Sequence, residues 1–210
     1  MRVRHPQGRA GRPWLAHRLA VARRGAGVLD EKYRALVRER AGLESLVARA
    51  AEEWETLATE AARWLTRALV LGGERQLAVA AAGEVAPADV RVRWRTVLGV
   101  TCPAEAAVET HADTGLSARG GSAALLAAAA AHRRALDAAA ALAVAEGALR
   151  RIDAEMATTA LRRNAIERHW IPAHEAAVAA LDISLEEGER EDGARVRWVT
   201  GGAPDRTRRR

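Results

Sequence analysis

The chain has 210 residues and a formal net charge of +6, and because Lys32 is its sole lysine the excess is carried by arginine. Phenylalanine is absent, tyrosine occurs once, and alanine supplies much of the 49% hydrophobic content. That leaves too few large side chains for a thick globular core and favours helices sharing a thin seam. The lone Cys102 excludes an intrachain disulfide and a cysteine-based zinc site, and it fits a reducing, cytoplasmic setting.

Residues 1–12 read as an irregular basic arm. Arg2, Arg4, Arg9 and Arg12 have the charge of an organelle transit peptide, but Pro6, Gly8, Gly11 and Pro13 interrupt any amphipathic helix there, and no apolar signal-peptide core follows. Pro13 suits the first turn of a helix, where its missing N–H costs nothing.

From 13 to 71 the apolar and small residues Leu15, Leu19, Ala22, Ala26, Leu29, Tyr33, Leu36, Leu43, Val47, Ala50, Trp54, Leu57, Ala61, Trp64, Ala68 and Leu71 recur in alternating steps of four and three, with Arg40 as the one break. A repeat averaging 3.5 residues keeps a narrow stripe on one side of a helix, which is the seam of a coiled coil. One unbroken helix of roughly 85 Å is allowed at 1.5 Å rise per residue. Gly25 and Gly27 inside it each cost up to about 1 kcal/mol relative to alanine, either as tolerated weakness or to admit a close neighbour.

Gly72-Gly73 is expected to end that helix and open a central insert over 72–121. Here the period switches to two. Val90, Val92 and Trp94 alternate with Arg91, Arg93 and Arg95, predicting a strand with one apolar and one cationic face. Leu98-Gly99-Val100 and Cys102-Pro103 are expected to end it, with a weaker return strand over Ala107–His111 and Gly115, Gly120 and Gly121 closing the insert. Two isolated strands are marginal, so the insert should lean on the helices or on another subunit.

A second helix is predicted over 122–192, capped by Ser122. Leu142, Ala145, Leu149, Ile152, Met156, Thr159, Ile166 and Trp170 hold the same spacing, with Arg163 as the break; beyond Pro172 the stripe resumes one residue out of phase as Ile171, Val178, Leu181 and Leu185. Pro172 lacks the N–H that would bond the carbonyl of Arg168 and should kink the helix. Gly193 should stop it, leaving Val196, Trp198 and Val199 for a short extended contact within a tail over 193–210. Pairing two narrow seams of similar length gives the fold class: mainly α, a long antiparallel two-helix coiled coil with a small β-hairpin-like insert at one end.

Chemistry-bearing motifs are sparse. A phosphate-binding loop needs Gly-Lys-Ser/Thr, and Lys32 follows Glu31. Histidines 169 and 174 are five apart, unlike the i,i+4 pair that holds zinc on a helix. No serine has a nucleophile-elbow context, and Glu52, Glu53 and Glu55 belong to a solvated helix face. The reading is therefore non-enzymatic, without catalytic, cofactor-binding or metal-binding residues. The run Ala123–Ala131 is too short for a bilayer span of about 20 residues. Arg91, Arg93 and Arg95 beside Trp94 admit nucleic-acid binding by phosphate contact and stacking, with a solvated strand face as the plainer reading.

Taken in order along the chain, several short motifs resemble the central-stalk D subunit of the V/A-type (vacuolar/archaeal-type) rotary ATPases and ATP synthases. Arg23-Arg24-Gly25, Val28-Leu29, Lys32 and Leu36 are similar to that family's early basic–Gly–apolar–Lys–Leu run, and Leu98-Gly99-Val100 with Pro103 to its central segment. Arg163-Asn164-Ala165-Ile166-Glu167, Ile171-Pro172, Glu175, Leu185-Glu186 and Glu189-Arg190-Glu191 resemble its late motifs; His174 stands where the family often has leucine. The resemblance implies a non-catalytic central-stalk rotor subunit, cytoplasmic and peripheral to the membrane. Its terminal helices would enter the ring of catalytic and regulatory subunits. Its middle segment would meet a small companion subunit and the connector to the membrane rotor ring. The subunit would couple ATP synthesis or hydrolysis elsewhere to proton or sodium movement, with neither nucleic acid nor membrane insertion expected. On this reading Arg18, Arg23, Arg24, Gly25, Lys32, Arg163, Glu167, Ile171, Pro172, Arg91, Arg93 and Trp94 are candidate interaction residues, with Arg18, Arg23, Arg24 and Arg163 near the ring's inner surface. The competing reading is a basic coiled-coil adaptor that binds nucleic acid or a scaffold.

Overall fold

The helix seams read from the sequence are present, while several element ends differ from expectation. The computed structural model describes residues 3–81, 88–110 and 122–201. The expectations placed on Gly83, Pro87, His111, Gly115, Gly120 and Gly121, and on the arginine-rich tail past Gly201, fall outside the described residues. Helix α1 spans Gly11–Ala81, beginning before Pro13 after a 3-10 turn at Gly8–Ala10. Strands β1 (Asp89–Val97) and β2 (Val100–Glu109) follow, then α2 (Ala123–Ala165), a π-helical turn at Ile166–Trp170, and α3 (Ile171–Gly201). The result is a pair of long helical segments with a small antiparallel β insert.

Gly73 breaks α1 without ending it. Its backbone lies at φ 68°, ψ 170°, a conformation that only glycine adopts cheaply, and helix resumes as far as Ala81. Leu71, expected in the seam, is 76% exposed just before this break, and Trp54 is 41% exposed. At the other end Gly193 does not stop α3. Arg195 reaches back to Glu191 and Asp192 across it, and one glycine costs only about 1 kcal/mol in a helix. Val196, Trp198 and Val199 are accordingly helical and exposed, not extended. Ser122 caps α2 as expected, its hydroxyl accepting from the Leu125 N–H at 3.3 Å.

The return strand starts earlier than the sequence suggests. Leu98 and Gly99 both have positive φ, 52° and 80°, the pattern of a two-residue type I′ turn, so β2 begins at Val100 and takes in Cys102 and Pro103. Proline is tolerated there because a bulge sits beside it. Arg93 pairs with Glu105 and Trp94 with Pro103, leaving Ala104 extra. The bulge resets the alternation, so Cys102 and Pro103 are both buried.

By contact the chain divides into two compact units, Tyr33–Thr158 and Met1–Lys32 with Thr159–Arg210. In the first, Leu36 and Leu43 of α1 close on Ala148 and Ile152 of α2, with Cys102 of the β-hairpin completing the cluster. Further along α1, Ala61 meets Ala131 and Ala135, and Ala68 meets Ala124, Leu125 and Ala128. Rising numbers on α1 meet falling numbers on α2, which is antiparallel pairing. The β-hairpin is held at its turn end. Arg151 donates to the Thr101 carbonyl at 3.1 Å and lies 4.9 Å over the Trp94 ring, Arg95 pairs with Glu39 at 2.9 Å, and a Cβ on Gly147 would approach the Pro103 ring to 3.3 Å. Burial pushes the Cys102 thiol above its ordinary range, opposed by Arg95 and Arg151.

In the second unit Leu15, Leu19 and Ala26 are buried on α1, and His174 and Leu181 on α3. Arg12–Asp182, Arg23–Glu175 and Asp30–Arg163 pairs at 3.0, 2.7 and 2.9 Å fix the same antiparallel sense. Pro172, at which the sequence predicts a kink, comes just after a π turn, itself a feature at which helices bend. The Ile171 N–H bonds back five residues to the Ile166 carbonyl, so the widened turn absorbs the missing donor and the helix continues.

Since Ile152 is 0% exposed and Leu161 is 71% exposed, Ile152→Ala is expected to cost about 2–5 kcal/mol in urea unfolding and Leu161→Ala less than about 0.5 kcal/mol. Equal, small effects would place the stability elsewhere than the seam.

Candidate functional site

Both charged breaks in the helical seams are ion pairs between facing helices. Arg40 meets Asp153 at 2.7 Å and Glu44 at 2.8 Å. The hydrogen bond to Asp153, followed by the charge of Glu44, holds the guanidinium more firmly protonated. Arg163, with a side chain only 24% exposed, meets Asp30 at 2.9 Å and Glu167 at 3.8 Å. A charge at a seam position is tolerated when a partner on the facing helix satisfies it, and such pairs fix register.

The other candidate residues separate into three groups. Arg23 is exposed and bonded to Glu175, and Arg18 is exposed and lies 4.9 Å over Trp14 and 5.5 Å over Trp170. Trp170 in turn stacks on the buried His174 with centroids 3.4 Å apart, while His174 Nδ1 lies 2.9 Å from the Trp170 carbonyl. Arg24 and Pro172 are exposed, Lys32 and Ile171 half-buried, and nothing of this chain lies within 4 Å of a Cβ built on Gly25. On the β-hairpin, Arg91 reaches Glu109 at 2.8 Å and Asp89 at 3.7 Å, and Arg93 pairs with Glu105. With Arg95 on Glu39, all three strand arginines face a carboxylate. Val90, Val92 and Trp94, the apolar face of that strand, are exposed. The structure therefore brings together Arg163 with Glu167, and Arg18 with the aromatic pair.

Asp30, Asp153, Glu39 and Arg151 were not singled out from the sequence, nor was the stacking of Arg18 with Trp14 and Trp170 or of Trp170 with His174. The breaks at Arg40 and Arg163 were the available signal, since each demands a carboxylate opposite, but naming it requires the register of the pair. Among the described residues no group of three or more His, Cys, Asp or Glu is placed to hold a metal, and no described helix is long and apolar enough to cross a membrane.

The family model for the D subunit of ATP synthase matches residues 14–201. The chain belongs to this ATP synthase D-subunit family. Similar relatives include the D subunits of the A-type ATP synthases of Thermococcus kodakarensis and Thermococcus gammatolerans. Each is 31% identical over 188 residues, covering 88% of both chains. The D subunit of the V-type ATP synthase of an Anaeromyxobacter species is 30% identical over 207 residues, covering 97% of this chain and 96% of the relative. Membership of the family places the chain among the subunits of V/A-type ATP synthases, and the helical pair with its β insert is the fold read from the two seams.

A double-mutant cycle separates the two kinds of ion pair in this ATP synthase subunit. Asp30→Asn or Arg163→Met alone should cost roughly 1–3 kcal/mol of stability, and the two together less than their sum. The exposed Arg23–Glu175 pair should couple by under about 1 kcal/mol. Strict additivity at Asp30 and Arg163 would show that the seam does not depend on that pair.

Proposed function

We propose that the chain is the non-catalytic central-stalk rotor subunit of a V/A-type ATP synthase, coupling ATP synthesis or hydrolysis in a ring of catalytic and regulatory subunits to proton or sodium movement. The carrying observation is a family match over residues 14–201 on a chain whose helical segments pair antiparallel along a narrow seam in each compact unit. A shaft has to carry torque without locking to its housing. Two helices meshed side chain into side chain resist twist better than one, and their outward faces here are rich in Arg, Glu and Ala.

In this reading the terminal helices lie within the ring. The central segment faces the small companion subunit and the connector to the membrane rotor ring, and the subunit is peripheral to the membrane on the cytoplasmic side. Arg18, Arg23, Arg24 and Arg163 sit near the ring's inner surface. Of these four, Arg23 and Arg163 are engaged in ion pairs within the chain, which leaves Arg18 and Arg24 as the two that face outward. Gly25, Lys32, Glu167, Ile171 and Pro172 belong to the same contact zone, and Arg91, Arg93 and Trp94 to the central one. The nucleic-acid reading is the less favoured one, since each strand arginine that would bind phosphate lies beside a carboxylate of its own chain.

Co-expression with the nucleotide-binding subunits and the companion subunit should yield a stable complex that contains this chain. Arg18→Glu with Arg24→Glu should leave the complex assembled while lowering coupled ATP turnover. Purification of the chain alone, with salt-sensitive DNA binding, would contradict the assignment.

A further inference from the structure

In the unit formed by Met1–Lys32 and Thr159–Arg210, Gly188 and Gly193 weaken α3 singly, but at one level helix-weakening features face each other on both helices. Two cross-helix ion pairs, Arg23–Glu175 and Asp30–Arg163, bracket residues 23–30 of α1 against residues 163–175 of the returning helix. Within that bracket the returning helix carries the π turn Ile166–Trp170 and then Pro172, which has no N–H to donate. The opposing stretch of α1 carries Gly25 and Gly27, the weakest helix formers after proline. Neither glycine is explained by packing, because nothing of this chain lies within 4 Å of a Cβ built on either one.

The π turn is also an insertion in the seam. Thr159, Arg163, Ile166, Trp170, His174, Val178, Leu181 and Leu185 follow the partner-facing side. The steps run four, three, four and then four, four, three, four, so the stripe carries one residue more than a continuous coiled coil needs. A stutter-free stripe would need no widened turn. The extra residue is accommodated instead at a turn held by side chains, with Trp170 stacked on His174 and Arg18 reaching Trp170 from α1. Sharp irregularities in helices arise at such π insertions and prolines.

We infer that this level is a built-in flexure, where both helices open locally together while the ion pairs above and below hold their register. Local opening follows the low-stability end of a structure, and two facing segments each short of helix propensity supply it. In the rotor proposed above, the level would take up twist between the part of the stalk gripped by the ring and the rest. That consequence rests on the rotor reading, whereas the flexure itself is a property of the chain alone.

Hydrogen exchange on the purified full-length chain tests it, read by mass spectrometry peptide by peptide. Amides of 23–30 and 163–175 should exchange at least roughly tenfold faster than those of 12–20 and 176–188 on one side and 36–61 and 135–156 on the other. Gly25→Ala with Gly27→Ala should slow exchange by roughly tenfold or more, in the facing 163–175 segment as well as in α1. Deletion of Pro172, which removes both the extra residue and the missing donor, should bring 163–175 to the protection of its flanks. Exchange that rises steadily toward the chain termini would reduce the feature to fraying and overturn the inference. So would slowing confined to α1 in the glycine variant, or protection lost on deletion of Pro172. Failure of the chain to assemble with the other ATP synthase components would sink the rotor reading and leave the exchange result standing.

Discussion

A stripe of side chains one residue wide holds each helical unit of this protein together, and most of the architecture follows from how little that stripe can bury. Alanine fills much of it, as at Ala61, Ala68, Ala128 and Ala131, so the helices approach closely but gain little transfer free energy per contact. Large side chains are reserved for a few fully buried points, Leu15, Leu36 and Ile152. Such a seam is long in proportion to its stability. It suits an element that has to be extended, and it is poorly suited to enclosing a pocket or a reaction site.

A thin apolar seam also specifies register weakly, because alanine meshes almost as well one turn along. The charged breaks correct this. Arg40 on Asp153 and Arg163 on Asp30 place an arginine of one helix opposite an aspartate of the other, once in each unit and in opposite directions. A slip by one turn would strand both charges against apolar neighbours, which is costlier than the pair is stabilising. The β-hairpin uses the same economy of large groups. It contributes Cys102 to the cluster around Leu36 and Ile152 and is held down by Arg95 and Arg151, while Val90, Val92 and Trp94 are left exposed.

The helices were legible in the sequence because the four-three period is long, repeated and nearly uninterrupted. The cap of α2 at Ser122 was legible as well, but the other ends were not. Gly193 has the look of a stop signal, yet Arg195 bridges back across it to Glu191 and Asp192, and such local pairs offset part of the roughly 1 kcal/mol that a helical glycine costs. The return strand was misplaced because Leu98 adopts a left-handed conformation that its side chain does not advertise, and because Pro103 argues against a strand unless a bulge is known to sit beside it. The phase slip after Trp170 was visible, but proline alone suggested a kink; only the backbone shows the slip taken up as a π turn. Of the candidate site, Arg163 was legible as an anomaly in the seam. Its partner Asp30, and the column from Trp14 through Arg18 and Trp170 to His174, depend on which turns of two distant segments face each other, and no local pattern encodes that.

The antiparallel pairing within one chain is the claim on which the structural and functional readings both depend, and site-directed cross-linking addresses it directly. In a Cys102→Ser background, Ala61→Cys combined with Ala131→Cys places two thiols at facing positions of one buried cluster. A short bifunctional thiol reagent should then join them rapidly within a single chain, giving a product of monomer mass with the helices linked. Cross-links formed only between two chains, or none at all under native conditions, would contradict it.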